Sequence, residues 1–356
     1  MNFNIKETNK RQEAILSYVS QRDELSVSSA LEFLKKDFKK VSRITIIRDL
    51  RFLVKKGFLL RQGAGRTTKY IFTQKYKLIK KSNVQEYFSI SQDKREIKKH
   101  LDFNIFNILK KESIFTLDEK KSLRSLHQKF QLNFKKIKSK TLITKEFERI
   151  IIEFSWKSSQ IEGNTYSLLD TENLIKENKA VEGKTKEETQ MILNHKKAFI
   201  FILKNKGKFK NLSRAKIEQI HQLLTADLGI TKNLRTALVR ITGTNYKPLD
   251  NIFQIEEAME KMIKLINNKK DVFEKAFLTL VLLSYIQPFE DGNKRTARLV
   301  SNALLIAYGS IPISYRAVNE VEYKKASLLF YEINNLFYFK EIFIKQFEFA
   351  VKNYFQ

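Results

Sequence analysis

The sequence predicts a mainly α-helical protein: an N-terminal winged helix-turn-helix, then an all-helical domain that carries a short β-hairpin. Three observations predict it. Only three Pro and ten Gly interrupt 356 residues, which favours helices joined by few long loops. Apolar residues recur at helical spacing through most of the chain. Two short runs, Phe58-Leu59-Leu60-Arg61 and Lys69-Tyr70-Ile71-Phe72, depart from that spacing and flank a Gly-containing turn, as paired strands would. Hydrophobic residues make up 42% of the chain, 28 of them Phe, enough for a sizeable core and two or three domains.

The elements of residues 1–80 follow in order. An apolar period at Ile15, Leu16 and Val19 predicts a first helix after Arg11-Gln12. A second short helix follows Ser26, with Ala30, Leu31 and Leu34 on one face. The Ser42 hydroxyl can cap a third helix, through Arg43, Ile46, Leu50 and Leu53, which Gly57 ends. Gln62-Gly63-Ala64-Gly65-Arg66 then joins the two strands. Three helices and a basic wing make a winged helix-turn-helix. The segment Val41-Ser42-Arg43-x-Thr45-Ile46-x-Arg48-Asp49-Leu50-x-x-Leu53-x-x-x-Gly57 resembles the recognition helix of DeoR-type bacterial repressors. That resemblance implies a bacterial, duplex-DNA-binding module. Ser42, Arg43, Thr45, Ile46 and Arg48 would face the major groove, and Arg61, Arg66 and Lys69 would meet phosphates. The chain's formal charge is +28, and residues 1–80 hold about +12 of it, which suits a polyanionic partner. The other use of such a module is protein contact, and a homodimer then takes the place of DNA.

Residues 73–100 are polar and read as a linker that re-enters helix. Helices are expected at Phe103–Leu109, Leu123–Phe134 and Phe147–Phe154 within an intermediate helical region, 81–184. Residues 185–356 form the core and closing helices, with Ile313-Ser314-Tyr315-Arg316 and the run from Tyr331 to Phe349 among the latter. Ser213 caps a helix bearing Ile217, Ile220, His221 and Leu224, where His221 lies on the apolar side.

The stretch from Gln287 to Arg298 organises this larger part. An apolar run, Ala276–Ile286, reads as a buried helix. It breaks at Pro288, turns through Asp291-Gly292-Asn293, and resumes a helical period at Leu299, Val300, Ala303 and Leu304. A Gly turn opening a helix leaves backbone N–H groups free to hold an anion. Arg295 and Arg298, three apart, share about one face of that helix. Asp291 beside them could hold a hard cation between phosphate oxygens. The stretch resembles the signature loop of Fic-domain proteins, H-x-F-x-[DE]-G-N-[GK]-R-x-x-R, at Phe289, Asp291, Gly292, Asn293, Lys294, Arg295 and Arg298. It departs at one position: Gln287 stands where the family has its catalytic histidine.

Two further motifs join the resemblance, which covers about residues 85–355. Ser158-x-x-x-Glu162-Gly163 resembles the family's inhibitory motif, whose glutamate pairs with the second arginine, here Arg298. Thr242-Gly243-Thr244-Asn245-Tyr246-Lys247-Pro248 resembles its flap, a hairpin over 235–250 that holds a target polypeptide by strand addition. The implied activity is transfer of AMP from ATP to a Ser, Thr or Tyr hydroxyl of a target protein or of the chain itself. Gly292, Asn293, Lys294, Arg295 and Arg298 would hold the phosphates and Asp291 a Mg²⁺ ion. A glutamine amide has no basic lone pair, and loss of a general base slows such reactions by about 10²–10⁴. Gln287 thus leaves two readings: a native residue of an inactive, slow or altered transferase, or a substitution that traps an inactive form. The alternative function is a DNA-binding regulator whose Fic-like domain senses nucleotide without catalysis.

Other classes are excluded or disfavoured. The chain lacks Cys, which removes disulfides and thiolate metal sites. His100, His127, His195 and His221 show no ligand spacing. No apolar run reaches membrane length, and the start Met1-Asn2-Phe3-Asn4-Ile5 does not read as a leader, so a cytoplasmic location is expected.

Overall fold

The computed structural model describes residues 8–38 and 40–356, and Met1 to Ile5 lie outside them. The chain divides into two compact units, one reaching to Lys81 and taking in Glu112–Glu119, the other made of Ser82–Lys111 and Lys120–Gln356.

The first unit contains α1 (Lys10–Arg22), β1 (Glu24–Leu25), α2 (Val27–Lys35), α3 (Arg43–Lys55), β2 (Leu59–Gln62), β3 (Lys69–Phe72) and α4 (Gln74–Ile79). Asn9, Ser26 and Ser42 cap the three main helices through their side chains. The strands are antiparallel in the order β1-β3-β2, with Leu60 opposite Ile71 and Arg61 opposite Tyr70. β1 has only two residues, too few to leave an alternating pattern, and the sequence did not predict it. Ile15, Val19, Leu34, Leu50, Leu53 and Phe58 are buried. So is Ile46, at 0% exposure, which corrects its expected place at the DNA face. It lies four residues before Leu50 on the same inward stripe of α3. Asp49, also buried, accepts hydrogen bonds from Arg11 and from Gln12 Nε2 (3.0 Å), which ties α3 to α1.

The second unit is helical: α5 (Val84–Ser89), α6 (Asn104–Lys111), α7 (Leu117–Lys136, entering from Lys120), α8 (Lys140–Ile161), α9 (Leu168–Glu177), α10 (Lys186–Lys204), α11 (Arg214–Leu224), α12 (Ile252–Asn268), α13 (Val272–Ile286), α14 (Asn293–Ala307), α15 (Glu320–Ile333) and α16 (Phe337–Asn353). α13 is its axis. Every side chain from Phe273 to Ile286 is buried, as expected of a helix without a polar face. Its hydroxyls are satisfied within the helix, Thr279 on Lys275 O and Ser284 on Leu280 O, both at 2.8 Å. Lys275 closes the end of α12, donating to Ile266 O and Asn267 O. Burying each Leu of α13 contributes about 1.5–3 kcal/mol, so one polar substitution at Leu280 or Leu283 would break this packing.

Two expected elements differ. Ile313–Arg316 is a non-helical loop with Tyr315 in the left-handed region (φ 61°), and Asn302 brackets Ile313 with two side-chain bonds, from its N–H (2.8 Å) and to its C=O (2.9 Å). The hairpin expected over 235–250 forms no strand ladder. Arg235 takes carbonyls there that a ladder would use, at Ala237 (2.9 Å) and Leu249 (2.5 Å), and the segment runs as an extended loop turning at Gly243 (φ 87°).

Candidate active site

The turn between α13 and α14 is held from several sides. Gln287 ends α13 in the left-handed region (φ 52°, ψ 58°), and its side-chain amide donates back to Ser284 O at 2.6 Å. Its own carbonyl accepts from Arg235 Nε at 2.6 Å, and Pro288 O accepts from Arg235 N at 3.0 Å. Asn293 then closes the loop with two bonds to Phe289: Oδ1 accepts from its N–H and Nδ2 donates to its C=O, each at 2.8 Å. Its side chain is therefore a loop brace, which leaves its backbone N–H for a ligand. The His221 ring stacks on Phe289 with centroids 3.8 Å apart, and Nε2–H donates to Asp291 O at 3.0 Å. Burial lowers the His221 pKa to about 4, so the ring is neutral.

Gly292 opens α14 at φ 76°, and a Cβ there would sit 3.2 Å from Thr225 Cγ2. The positive φ favours glycine, and a Cβ would in addition crowd Thr225. No side chain caps α14, so the N–H groups of its first turn have no intrahelical acceptor and carry the positive end of the helix dipole. A cavity of about 370 Å³ opens onto them, lined by Glu162, Thr242, Gln287, Gly292, Arg295 and Tyr331 among others.

Both arginines lie inward. Arg295, 2% exposed, donates through Nη2 to Asp291 Oδ2 at 2.9 Å, while its Nη1 is buried without a hydrogen-bond partner. Arg298 donates to Ser158 Oγ (2.9 Å), Ser158 O (2.8 Å) and Glu162 Oε1 (2.9 Å), and its Nη1 is likewise unpartnered. Of the two, Arg295 lines the cavity, and a buried guanidinium N–H left open there favours an anion. Glu162 is the C-cap of α8 and Gly163 continues at φ 103°, which turns the chain away beyond the glutamate. Lys294 adds a second cation, its Nζ 3.5 Å from Glu162 Oε2.

Ser158 is relayed further. His195 donates Nδ1–H to Met191 O (2.8 Å), so its Nε2 accepts the Ser158 hydroxyl proton at 3.0 Å. Burial and the nearby Arg295 lower the His195 pKa to about 3, consistent with this neutral tautomer. Sequence reasoning missed His195 in this role, as it missed Arg235 behind Gln287. Neither has a spacing signal, since the partners lie 37 and 52 residues away.

Of the expected flap residues, Thr242 lines the cavity, Thr244 and Tyr246 turn inward, and Gly243 and Asn245 form the exposed turn. Tyr246 packs in a triangle of rings with Tyr285 and Tyr331, at 5.0 and 5.6 Å from them, and its hydroxyl donates to Tyr285 O at 2.9 Å. In the winged-helix unit, Arg43, Arg48, Arg66 and Lys69 are exposed, and Lys69 pairs with Glu24 at 2.7 Å. The Ser42 hydroxyl receives the Thr45 N–H at 3.2 Å. A cleft of about 460 Å³ between α3 and the wing is lined by Arg43, Arg51, Lys55 and Arg61. Arg51 and Lys55 follow Arg43 at steps of eight and four residues along α3, a spacing signal that sequence reasoning passed over.

Comparison with known proteins bears on this geometry. Residues 211–305 match the Fic/DOC family. The helical unit has the Fic fold. The Fic region ends on the α14 helix just described. Residues 9–129 match the penicillinase repressor family, a winged-helix repressor type other than the DeoR type that α3 resembles. Among curated relatives, the protein adenylyltransferase Fic of Nematostella vectensis is 30% identical over 176 residues, 47% of this chain and 40% of the relative. The protein adenylyltransferase fic-1 of Caenorhabditis elegans is 24% identical over 243 residues, 66% of this chain and 47% of the relative. The chain thus spans less than half the length of these relatives. Among solved structures, C. elegans Fic-1 (residues 134–508) superposes with a TM-score of 0.58 at 22% identity, covering 66% of this chain and 71% of that one. A Fic domain containing signaling protein from Bacteroides thetaiotaomicron gives 0.54 at 18% identity, covering 65% and 94%. These likenesses establish the Fic fold of the helical unit.

The Glu162 contact has a pH signature. Burial pushes its carboxyl up, but Arg298, Lys294 and Arg295 outweigh burial and hold it at about 2, against 4.5 for an ordinary glutamate. A depressed folded-state pKa stabilises the fold above pH 4.5, and that contribution disappears as pH falls toward 2. Thermal melts of the parent and Glu162→Gln should therefore differ by on the order of 2 kcal/mol near neutrality and converge only as the pH falls to about 2. A gap undiminished at about pH 2 would mean the ion pair does not set it.

Proposed function

We propose that this protein is an ATP-binding member of the self-inhibited protein adenylyltransferase type, joined to a DNA-binding winged helix, with transfer activity absent, weak or altered by Gln287. One observation carries this reading. An unpartnered Arg295 N–H group lines the same cavity as the uncapped start of α14, while the position for a base holds an amide turned onto Ser284 O.

The N–H groups of the α14 first turn and Arg295 would bind the α- and β-phosphates of ATP and neutralise charge that develops there. Asp291, with a side chain 67% exposed, offers one carboxylate. No group of three or more His, Asp or Glu that could hold a metal occurs among the described residues. This donor set fits a Mg²⁺ ion that takes its remaining ligands from phosphates and water, and does not fit a free-standing metal site. Bound there, Mg²⁺ would supply charge neutralisation between phosphate oxygens. Glu162 holds Arg298 where a γ-phosphate would pair with it, so the glutamate and the phosphate compete for one guanidinium. At the nucleophile's side Gln287 can orient a hydroxyl but cannot take its proton. The exposed flap edge around Thr242, Gly243 and Asn245 would hold the target chain.

Calorimetry with ATP and Mg²⁺ tests the reading. The parent protein should bind ATP, and Glu162→Gly should tighten binding by about tenfold by freeing Arg298. ATP affinity unaltered by Glu162→Gly, with the phosphates posed alike in both, would remove the self-inhibition. No binding by either would remove the nucleotide site.

A further inference from the structure

The turn at Gly243–Asn245 is gripped from outside by residues 87–99, a segment the site's chemistry does not use. Arg95 donates through Nη2 to Gly243 O at 2.6 Å, and the same nitrogen lies 3.3 Å from Glu332 Oε1 on α15. This is a buried ion pair, with side chains 4% and 0% exposed. Glu332 also accepts from the Tyr87 hydroxyl at 2.6 Å, and the Arg95 guanidinium lies over the Phe88 ring at 5.1 Å. Gln92 Nε2 donates to Asn245 Oδ1 (2.8 Å), and Asn245 Nδ2 donates to Asp93 Oδ1 (3.0 Å). Beyond the turn, Lys247 N–H donates to Lys99 O at 2.8 Å, while Lys98 N–H donates to Glu332 O at 2.7 Å.

The placement matters because Ile241 and Thr242, immediately before the gripped turn, line the nucleotide cavity, as Ser327, Leu328 and Tyr331 of α15 do from the other wall. One guanidinium therefore ties a backbone carbonyl of one wall to a carboxylate on the helix forming the other. The loop has no strand ladder to hold its own shape. A buried charge is retained here although an apolar pair would pack at least as well. A donor that bonds the Gly243 carbonyl while its charge balances the Glu332 carboxylate gives a reason for it.

We propose that Arg95 is a positioning residue that sets the spacing between the flap and α15, and with it the width of the nucleotide cavity. The role assigned to Arg95 rests on the nucleotide reading of that cavity. The local clamp does not.

The test uses the full chain in the Glu162→Gly background. Arg95→Met with Glu332→Gln removes both charges together and leaves neither buried alone. Tyr87→Phe, which removes one hydrogen bond to Glu332 and leaves the ion pair and the Arg95 bond to Gly243 O in place, serves as the control. Amide hydrogen exchange at Tyr246 and Lys247, whose N–H groups are bonded to Thr244 Oγ1 and Lys99 O, should quicken about tenfold in the paired variant and little in the control. Amides of α13 should be unaltered in both. ATP affinity should fall several-fold in the paired variant only. Exchange that stays at the parent rate, or rises equally across α13, would overturn the clamp. Local opening with undiminished ATP affinity would overturn the positioning role. If no form binds ATP, local opening still supports the clamp, while the nucleotide reading and the positioning role fail.

Discussion

The double variant Gln287→His, Glu162→Gly is expected to transfer AMP to itself or to a protein in cell extract, measured with α-phosphate-labelled ATP. The two changes repair different requirements. Histidine at 287 would supply a base where the amide now faces Ser284 O at 2.6 Å, worth about 10²–10⁴ in rate. Glycine at 162 releases Arg298, which now makes a 2.9 Å bond to the glutamate. Each change alone should do little, because a base without a correctly posed phosphate has nothing to attack, and the reverse holds as well. Strong non-additivity is therefore expected. Asp291→Ala in that background should abolish labelling. A double variant that binds ATP but labels nothing would favour the nucleotide-sensing regulator, with a domain changed beyond one residue.

Raising salt from 50 to 200 mM is expected to weaken duplex DNA binding by the full chain by on the order of a thousandfold, through counterion release. The cleft between α3 and the wing brings Arg43, Arg51, Lys55 and Arg61 together with no carboxylate among its lining residues. Arg51→Gln and Arg61→Gln should each reduce the salt slope by about 0.9 without altering sequence preference. Arg43→Ala, at the first turn of α3, should broaden that preference. Lys69→Ala should weaken binding evenly and by less than Arg61→Gln, since Lys69 is already paired with Glu24. Absence of DNA affinity even in low salt would leave dimerisation as the use of this unit.

The features that the sequence by itself determined are those written within about a dozen residues. The caps at Ser26, Ser42 and Ser213, the stop at Gly57, the apolar run of α13 and the Gly turn opening α14 are local, because backbone propensity and side-chain period act over one or two turns. The pairing of Glu162 with Arg298 was also foreseen, from a motif resemblance and not from spacing. Only the tertiary structure decided what long-range packing sets. Ile46 turned inward because α3 must pack on α1 and α2. The expected hairpin became a loop because Arg235 and Arg95 hold carbonyls that a ladder would need. His195 reached Ser158, and Arg235 reached Gln287, across gaps of 37 and 52 residues. Hydrogen bonds of that kind depend on where whole helices dock, and docking is driven by non-directional burial of apolar faces, which leaves no mark at the polar residues it brings together.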